Sequence, residues 1–121
     1  MFLPFNRLRF YLYMYPTDMR KSFNGLFYLV SSALKKDPLS GDVYIFINKR
    51  KDRIKLLFWD QGGFWICYKR LEKGTFQRPF SQEDNSSYHL SYDQLVMILE
   101  GIDINTVKRR PRYIREQASF S

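Results

Sequence analysis

The sequence predicts an α+β domain: a small antiparallel β-meander sheet with an N-terminal strand and two packing helices. Two observations carry this. Between Val43 and Phe76, the runs VYIFIN, IKLLFWD and FWICYKR are rich in β-branched and aromatic residues, which suit a pleated, partly buried surface. Turn chemistry bounds them at Asn48-Lys49-Arg50-Lys51-Asp52-Arg53, Gln61-Gly62-Gly63 and Glu72-Lys73-Gly74. On either side of this meander, apolar residues recur at three- and four-residue spacings, the pattern of a helix with one buried stripe. Strands grouped together, with helices at the ends of the series, imply helices packed mainly on one face of the sheet. The second, aromatic face is then covered by something else or used for binding.

In chain order, Arg9 to Tyr15 (RFYLYMY) reads as the first strand. Pro16 ends it, because proline holds the preceding residue in extended geometry. Thr17 or Asp18 is placed to cap a helix whose stripe is Met19, Phe23, Leu26, Phe27, Val30 and Leu34. Gly25 inside that stripe costs about 1 kcal/mol relative to alanine and is expected to mark a close approach to the sheet. Asp37-Pro38-Leu39-Ser40-Gly41 ends the helix. In the meander Val43, Ile45 and Ile47 alternate with Tyr44 and Phe46, and Ile54, Leu56 and Phe58 with Leu57 and Trp59. Four or so strands therefore follow the first helix. Pro79 to Ser87 is polar and punctuated, a loop. At Leu90 to Gly101, Ser91 and Gln94 form a capping box, Leu90 staples against Leu95, and Leu95, Ile98, Leu99 and Ile102 make the buried stripe. Gly101 stops that helix. Residues 1–107 thus form a single α+β domain, and 108–121 a basic tail, interrupted by Pro111, that is flexible until bound.

A chain of 121 residues with 45% apolar content is one domain with a proper core, not a disordered segment. It has no run of about 18 apolar residues, so no membrane span is expected. The opening MFLPFNRLRFYLYMY is broken by Pro4, Asn6, Arg7 and Arg9 and reads as a leading strand rather than a signal peptide, which predicts a cytoplasmic protein. The single cysteine, Cys67, excludes an intramolecular disulfide and a multi-cysteine metal site. Lying between Ile66 and Tyr68, it reads as a small buried hydrophobe. A catalytic thiol would need His89, the only histidine.

The formal charge of +8 points to a polyanion partner, most readily nucleic acid, because the basic residues are clustered. Residues 49–55 (KRKDRIK) hold five basic residues and one acidic, and 108–115 (KRRPRYIR) hold five basic and none acidic. Arg20 and Lys21 fall in the first turn of the predicted helix, where positive charge opposes the macrodipole. They either pair with a carboxylate such as Asp18 or face phosphates. Lys69, Arg70, Lys73 and Arg78 line one hairpin beside Trp59, Trp65, Tyr68 and Phe76, a combination that serves core packing or base stacking. Asp18 and Asp60 could hold Mg²⁺ for phosphodiester chemistry, but their positions are those of a cap and a turn. Gly62-Gly63 lacks the context of a phosphate loop.

Several of these segments together carry a resemblance. Residues 17–26 (TDMRKSFNGL), 37–41 (DPLSG), Phe46, 48–50 (NKR), 52–55 (DRIK), 59–60 (WD), Gly63, 69–74 (KRLEKG), Phe76 and 99–103 (LEGID) resemble the second-open-reading-frame accessory proteins, called TnpB, of the IS66 class of bacterial insertion sequences. This is distinct from the RNA-guided nuclease family of the same name. The resemblance spans roughly residues 9–110, and Ser22 departs from it where glycine is common. It implies a role in transposition beside a separate, larger transposase that carries the catalytic acidic residues. No catalytic residue, metal or cofactor is carried over.

The expectation is therefore a non-enzymatic accessory factor that contacts DNA phosphates near the element ends. The candidate contacts are a rim of Arg20, Lys21, Lys49, Arg50, Lys51, Arg53, Lys55, Lys69 and Arg70, and a tail of Lys108, Arg109, Arg110 and Arg112. The alternative is an adaptor that docks on the transposase through exposed aromatics around Trp59 and Trp65. Neither reading calls for a membrane or a small-molecule substrate.

Overall fold

The computed structural model describes residues 7–81 and 85–102. Strands β1 (Phe10–Tyr13), β2 (Val43–Ile47), β3 (Arg53–Asp60), β4 (Gly63–Arg70) and β5 (Ser87–Leu90) form one sheet in the order β4-β3-β2-β1-β5. Helix α1 (Phe23–Tyr28) joins β1 to β2, and α2 (Tyr92–Leu99) follows β5. The α+β class, the antiparallel meander and both helices are as expected. In the meander, Tyr44 opposes Leu57, and Leu56 opposes Cys67. The first strand lies inside the sheet, parallel to β2 with Phe10 opposite Val43, while β5 closes the edge antiparallel to β1. A parallel pair needs a crossover of a dozen residues or more, and the α1 segment supplies it.

That crossover corrects one expectation. The two helices lie on opposite faces of the sheet. Leu95 and Ile98 of α2, with Phe76, pack on the face of Leu12, Ile45, Ile54 and Phe58. Leu26, Val30 and Leu34 pack on the face of Tyr44, Phe46 and Leu57. The physical reason lies in β2, whose five residues are all buried. A strand apolar on both sides needs a layer on each.

The first helix starts later than the sequence suggests. Its N-cap is Ser22, which makes no side-chain cap hydrogen bond, so neither Thr17 nor Asp18 caps it, and Arg20 and Lys21 precede it. The predicted stripe narrows to Leu26, Val30 and Leu34, with Phe23 and Phe27 exposed. From Leu29 to Ala33 the backbone widens into a π-helical turn, in which Leu34 N–H reaches the Leu29 carbonyl. Nearby, the Ser31 and Ser32 hydroxyls donate to the carbonyls of Phe27 and Tyr28, back-bonding that loosens a helix. Gly25 does not approach the sheet. A Cβ there would meet the Lys21 side chain at 3.1 Å.

The connection at 37–41 is held by one buried phenol. Tyr44 Oη donates to the Asp37 carbonyl at 2.9 Å and lies 3.0 Å from Ser40 Oγ. The capping box of α2 forms as read, with Gln94 N–H donating to Ser91 Oγ and Ser91 N–H to Gln94 Oε1. Cys67 is exposed rather than buried, because β4 is an edge strand with little over it. Among the described residues, no helix is long and apolar enough to cross a membrane. The tail at 108–121 and part of the loop at 79–87 lie outside the described residues.

Candidate nucleic-acid interface

Two segments build the site at one end of the sheet. The first is the β2–β3 turn. Asn48 Oδ1 accepts the N–H groups of Asp52 and Arg53, and Asn48 Nδ2 donates to Asp52 Oδ1 at 2.7 Å. That hydrogen bond holds the Asp52 carboxyl below its ordinary pKa. Lys51 takes a left-handed φ of 62°, which closes the turn and leaves Lys49 and Arg50 exposed at its tip.

The second segment is the loop after β1. Thr17 N–H donates to the Ile47 carbonyl at 2.9 Å, which fastens the loop to the end of β2. The same carbonyl accepts the Arg78 guanidinium at 3.0 Å. Lys55, on β3, is buried beneath the loop and donates to the Met19 and Lys21 carbonyls, each at 2.8 Å. Its ammonium also sits 4.8 Å from the centre of the Tyr68 ring. Lys55→Met is expected to lower stability by about 1–3 kcal/mol, the cost of leaving buried acceptors unpaired. Urea denaturation measures the loss, and faster amide exchange across residues 17–21 would localise it.

Between these segments lies an open groove of about 720 Å³, lined by Pro16, Thr17, Asp18, Met19, Arg20, Asn48, Lys49, Arg50, Arg53 and Tyr68. A neighbouring recess of about 520 Å³ is lined by Arg53, Tyr68, Arg70 and Glu72. Arg53 and Tyr68 line both recesses. Two of the cations are locally paired: Arg20 Nη2 with Asp18 Oδ2 at 2.6 Å, and Arg70 Nε with Glu72 Oε2 at 2.9 Å. Lys49, Arg50 and Arg53 make no ion pair among the described residues. The groove is thus net positive. Two residues that line it each bury a polar atom, Thr17 Oγ1 and Arg53 Nε, that has no hydrogen-bond partner among the described residues.

The Arg20 side chain, followed by its backbone N–H, holds the Asp18 carboxyl down at about 2, against an ordinary 3.8. The sign follows from the depressed value. The pairing is fully present above the ordinary pKa and is lost as pH falls through about 2. An NMR titration of the Asp18 carboxyl carbon should show this midpoint, and Arg20→Ala should return it toward 3.8.

The predicted rim divides. Arg20, Lys49, Arg50 and Arg53 line the groove, and Arg70 lines the adjoining recess. Lys21 and Lys51 are exposed near its edges. Lys55 is not a rim residue, because its charge is spent on backbone carbonyls under the loop. Lys69 points to the other face, where it donates to the Leu99 carbonyl at the end of α2 at 2.9 Å. Lys108, Arg109, Arg110 and Arg112 lie outside the described residues. Sequence reasoning missed Thr17 as a groove wall, having read it as a cap. It also missed Asn48, whose spacing to Asp52 was the available signal for an organised turn.

Trp59 and Trp65 do not form one patch. Strand alternation puts them on opposite faces, with Trp59 half-buried 5.1 Å from the Phe64 ring and Trp65 opposite Phe58. Asp18 and Asp60 are also separated. Asp18 lines the groove at the Arg53 end of β3 and Asp60 ends that strand seven residues on, a span of about 23 Å at the usual strand rise. One metal ion could not bridge them. Cys67 and His89 stand on the two edge strands of the sheet, roughly 19 Å apart at ordinary strand spacing, too far for a thiol–imidazole pair.

A family model described as "IS66 Orf2 like protein" matches residues 8–109. Two relatives come from Sinorhizobium fredii (strain NBRC 101917 / NGR234). The uncharacterized protein y4jC is 37% identical over 108 residues, covering 89% of this chain and 91% of the relative. The uncharacterized protein y4hO is 33% identical over 87 residues, covering 72% of this chain and 74% of the relative. No solved structure matches the chain.

Proposed function

Because the chain belongs to the IS66 Orf2-like family, we propose that it is a non-catalytic accessory factor of transposition that binds DNA near the ends of its insertion sequence. The observation that supports this most is the concentration around one groove of Lys49, Arg50 and Arg53, which make no ion pair among the described residues. Phosphates bind such cations with release of condensed counterions, which gives affinity and orientation on the duplex. Phosphate contacts carry no sequence information by themselves. Choice of the element end then comes from DNA shape or from a partner. The exposed tip of the 48–53 turn is suited to following a phosphate backbone, and the basic tail beyond residue 107 would extend the contact.

The experiment is fluorescence anisotropy on two labelled duplexes, the terminal repeat of the element and a scrambled control, across a salt series. The proposal expects affinity to fall steeply with salt and the terminal repeat to bind more tightly. No binding to either duplex at moderate salt would overturn it.

A second reading has its own observation. β4 is an eight-residue edge strand, exposed along much of its length, with Trp65 and Tyr68 uncovered. Such an edge can accept a strand or an aromatic-binding groove from a protein partner, here the element's separate transposase. Co-purification of the two proteins from nuclease-treated extract would favour this adaptor role over direct DNA binding.

A further inference from the structure

We propose that the groove takes an unpaired stretch of DNA, with a phosphate lodged against Thr17, Arg53 and the Lys49-Arg50 tip and a base stacked on Tyr68. The inference rests on the DNA-binding reading above and adds to it the strand state of the ligand.

The phosphate half comes from the two orphaned polar atoms. Thr17 is only 3% exposed, yet its hydroxyl has no hydrogen-bond partner among the described residues. Arg53, which lines the same groove, likewise buries its Nε with no hydrogen-bond partner among the described residues. Leaving such groups unbonded is costly, and nearly all buried polar groups in folded proteins are satisfied. Both are donors. Lys49 and Arg50, which make no ion pair among the described residues, line the same groove and fix its preference for an anion.

The base half comes from Tyr68. It sits on β4 opposite Lys55, with Arg70, two residues on, opposite Arg53. Tyr68 is 54% exposed and lines both recesses, while the Lys55 ammonium lies over the ring at 4.8 Å from its centre. A half-exposed aromatic between arginines is a stacking platform, which any base can use because every base has a π-face. In an intact duplex those faces are hidden in the stack, so Tyr68 would have nothing to bind. The groove is open and about 720 Å³ in volume, which gives a single nucleotide access from solvent. A site for duplex phosphates alone would require neither a concave wall nor an exposed ring.

The test uses the full chain and anisotropy with labelled oligothymidylate, an oligouridylate of the same length, and a duplex. Oligothymidylate is expected to bind more tightly than the duplex. Tyr68→Ala should weaken oligothymidylate binding about tenfold, the loss of one stacked base, and weaken duplex binding by much less. Tyr68→Phe should retain the affinity, and Thr17→Val should lower it. If Tyr68→Ala leaves oligothymidylate affinity intact, or if the duplex binds more tightly, the single-strand assignment is wrong. Duplex binding that still depends on Lys49 and Arg50 would then leave the broader proposal standing. Tighter binding of oligouridylate than oligothymidylate would overturn DNA as the ligand, and no binding to any probe would overturn both readings.

Discussion

Replacing Lys49 and Arg50 together with glutamate is expected to reduce duplex binding on the order of 100-fold at moderate salt. The two side chains stand at the tip of a turn held by Asn48, and they make no ion pair among the described residues. Charge-assisted hydrogen bonds contribute about 1.5–3 kcal/mol each, so losing two at the lower end of that range, about 3 kcal/mol together, gives a change of that order. The dependence of affinity on salt should flatten as well, by about 0.9 in log–log slope for each phosphate contact removed. Both residues are exposed, so circular dichroism and the unfolding midpoint should stay unchanged. Lys69→Glu is the control. Its ammonium caps the end of α2 on the other face, so a much smaller effect on binding is expected.

Phe46→Ala is expected to lower stability by about 3–5 kcal/mol, the usual range for removing a buried phenylalanine side chain. Phe46 is fully buried on the central strand, packed in the layer of Leu26, Val30 and Leu57 and 6.0 Å from the Tyr13 ring. The crossover segment that covers it bears on function, because the loop at 16–21, one wall of the groove, leads directly into α1. A domain of this size has only about 5–15 kcal/mol in total, so the variant should sit close to unfolding at physiological temperature. Urea denaturation would show a lower midpoint at unchanged slope. Tyr28→Ala, on the exposed side of the same helix at 67% exposure, should fall within about 0.5 kcal/mol of the parent.

Much of the fold was legible because its signals are local. The meander declares itself through alternation and turn residues within a span of about 30 residues, and α2 through a capping box adjoining its apolar stripe. The placement of β1 was not legible. Its parallel pairing with β2 joins residues more than 30 positions apart, and Phe10 to Tyr13 would read the same on an edge. The helices were assigned to one face for a related reason. The sequence shows apolar and aromatic residues on both sides of β2, but only the crossover decides which layer covers each side. Cys67 was misjudged because residue type outweighed position, and the edge of a sheet leaves even a mid-strand cysteine open.

The candidate site was half legible. Charge clustering identified Arg20, Lys49, Arg50, Arg53 and Arg70, which the fold gathers around two adjoining recesses. Composition gave no warning that Lys55 would turn inward to hold the 16–21 loop, or that Lys69 would face α2. Strand alternation could have separated them. Lys55 and Lys69 lie on opposite faces of the β3–β4 ribbon, as Trp59 and Trp65 do. No sequence signal marks Thr17 as a groove residue, because a buried hydroxyl with no partner among the described residues is visible only once the loop has been folded against β2.

Whether the groove binds DNA is read most directly by an amide NMR titration of the full chain with DNA carrying the element's terminal repeat, as duplex and as single strand. Shifts are expected to concentrate at residues 16–21, 48–53 and 68–70 and to saturate together. Shifts confined to α2 and β5, or none with either form of DNA, would contradict binding at the groove.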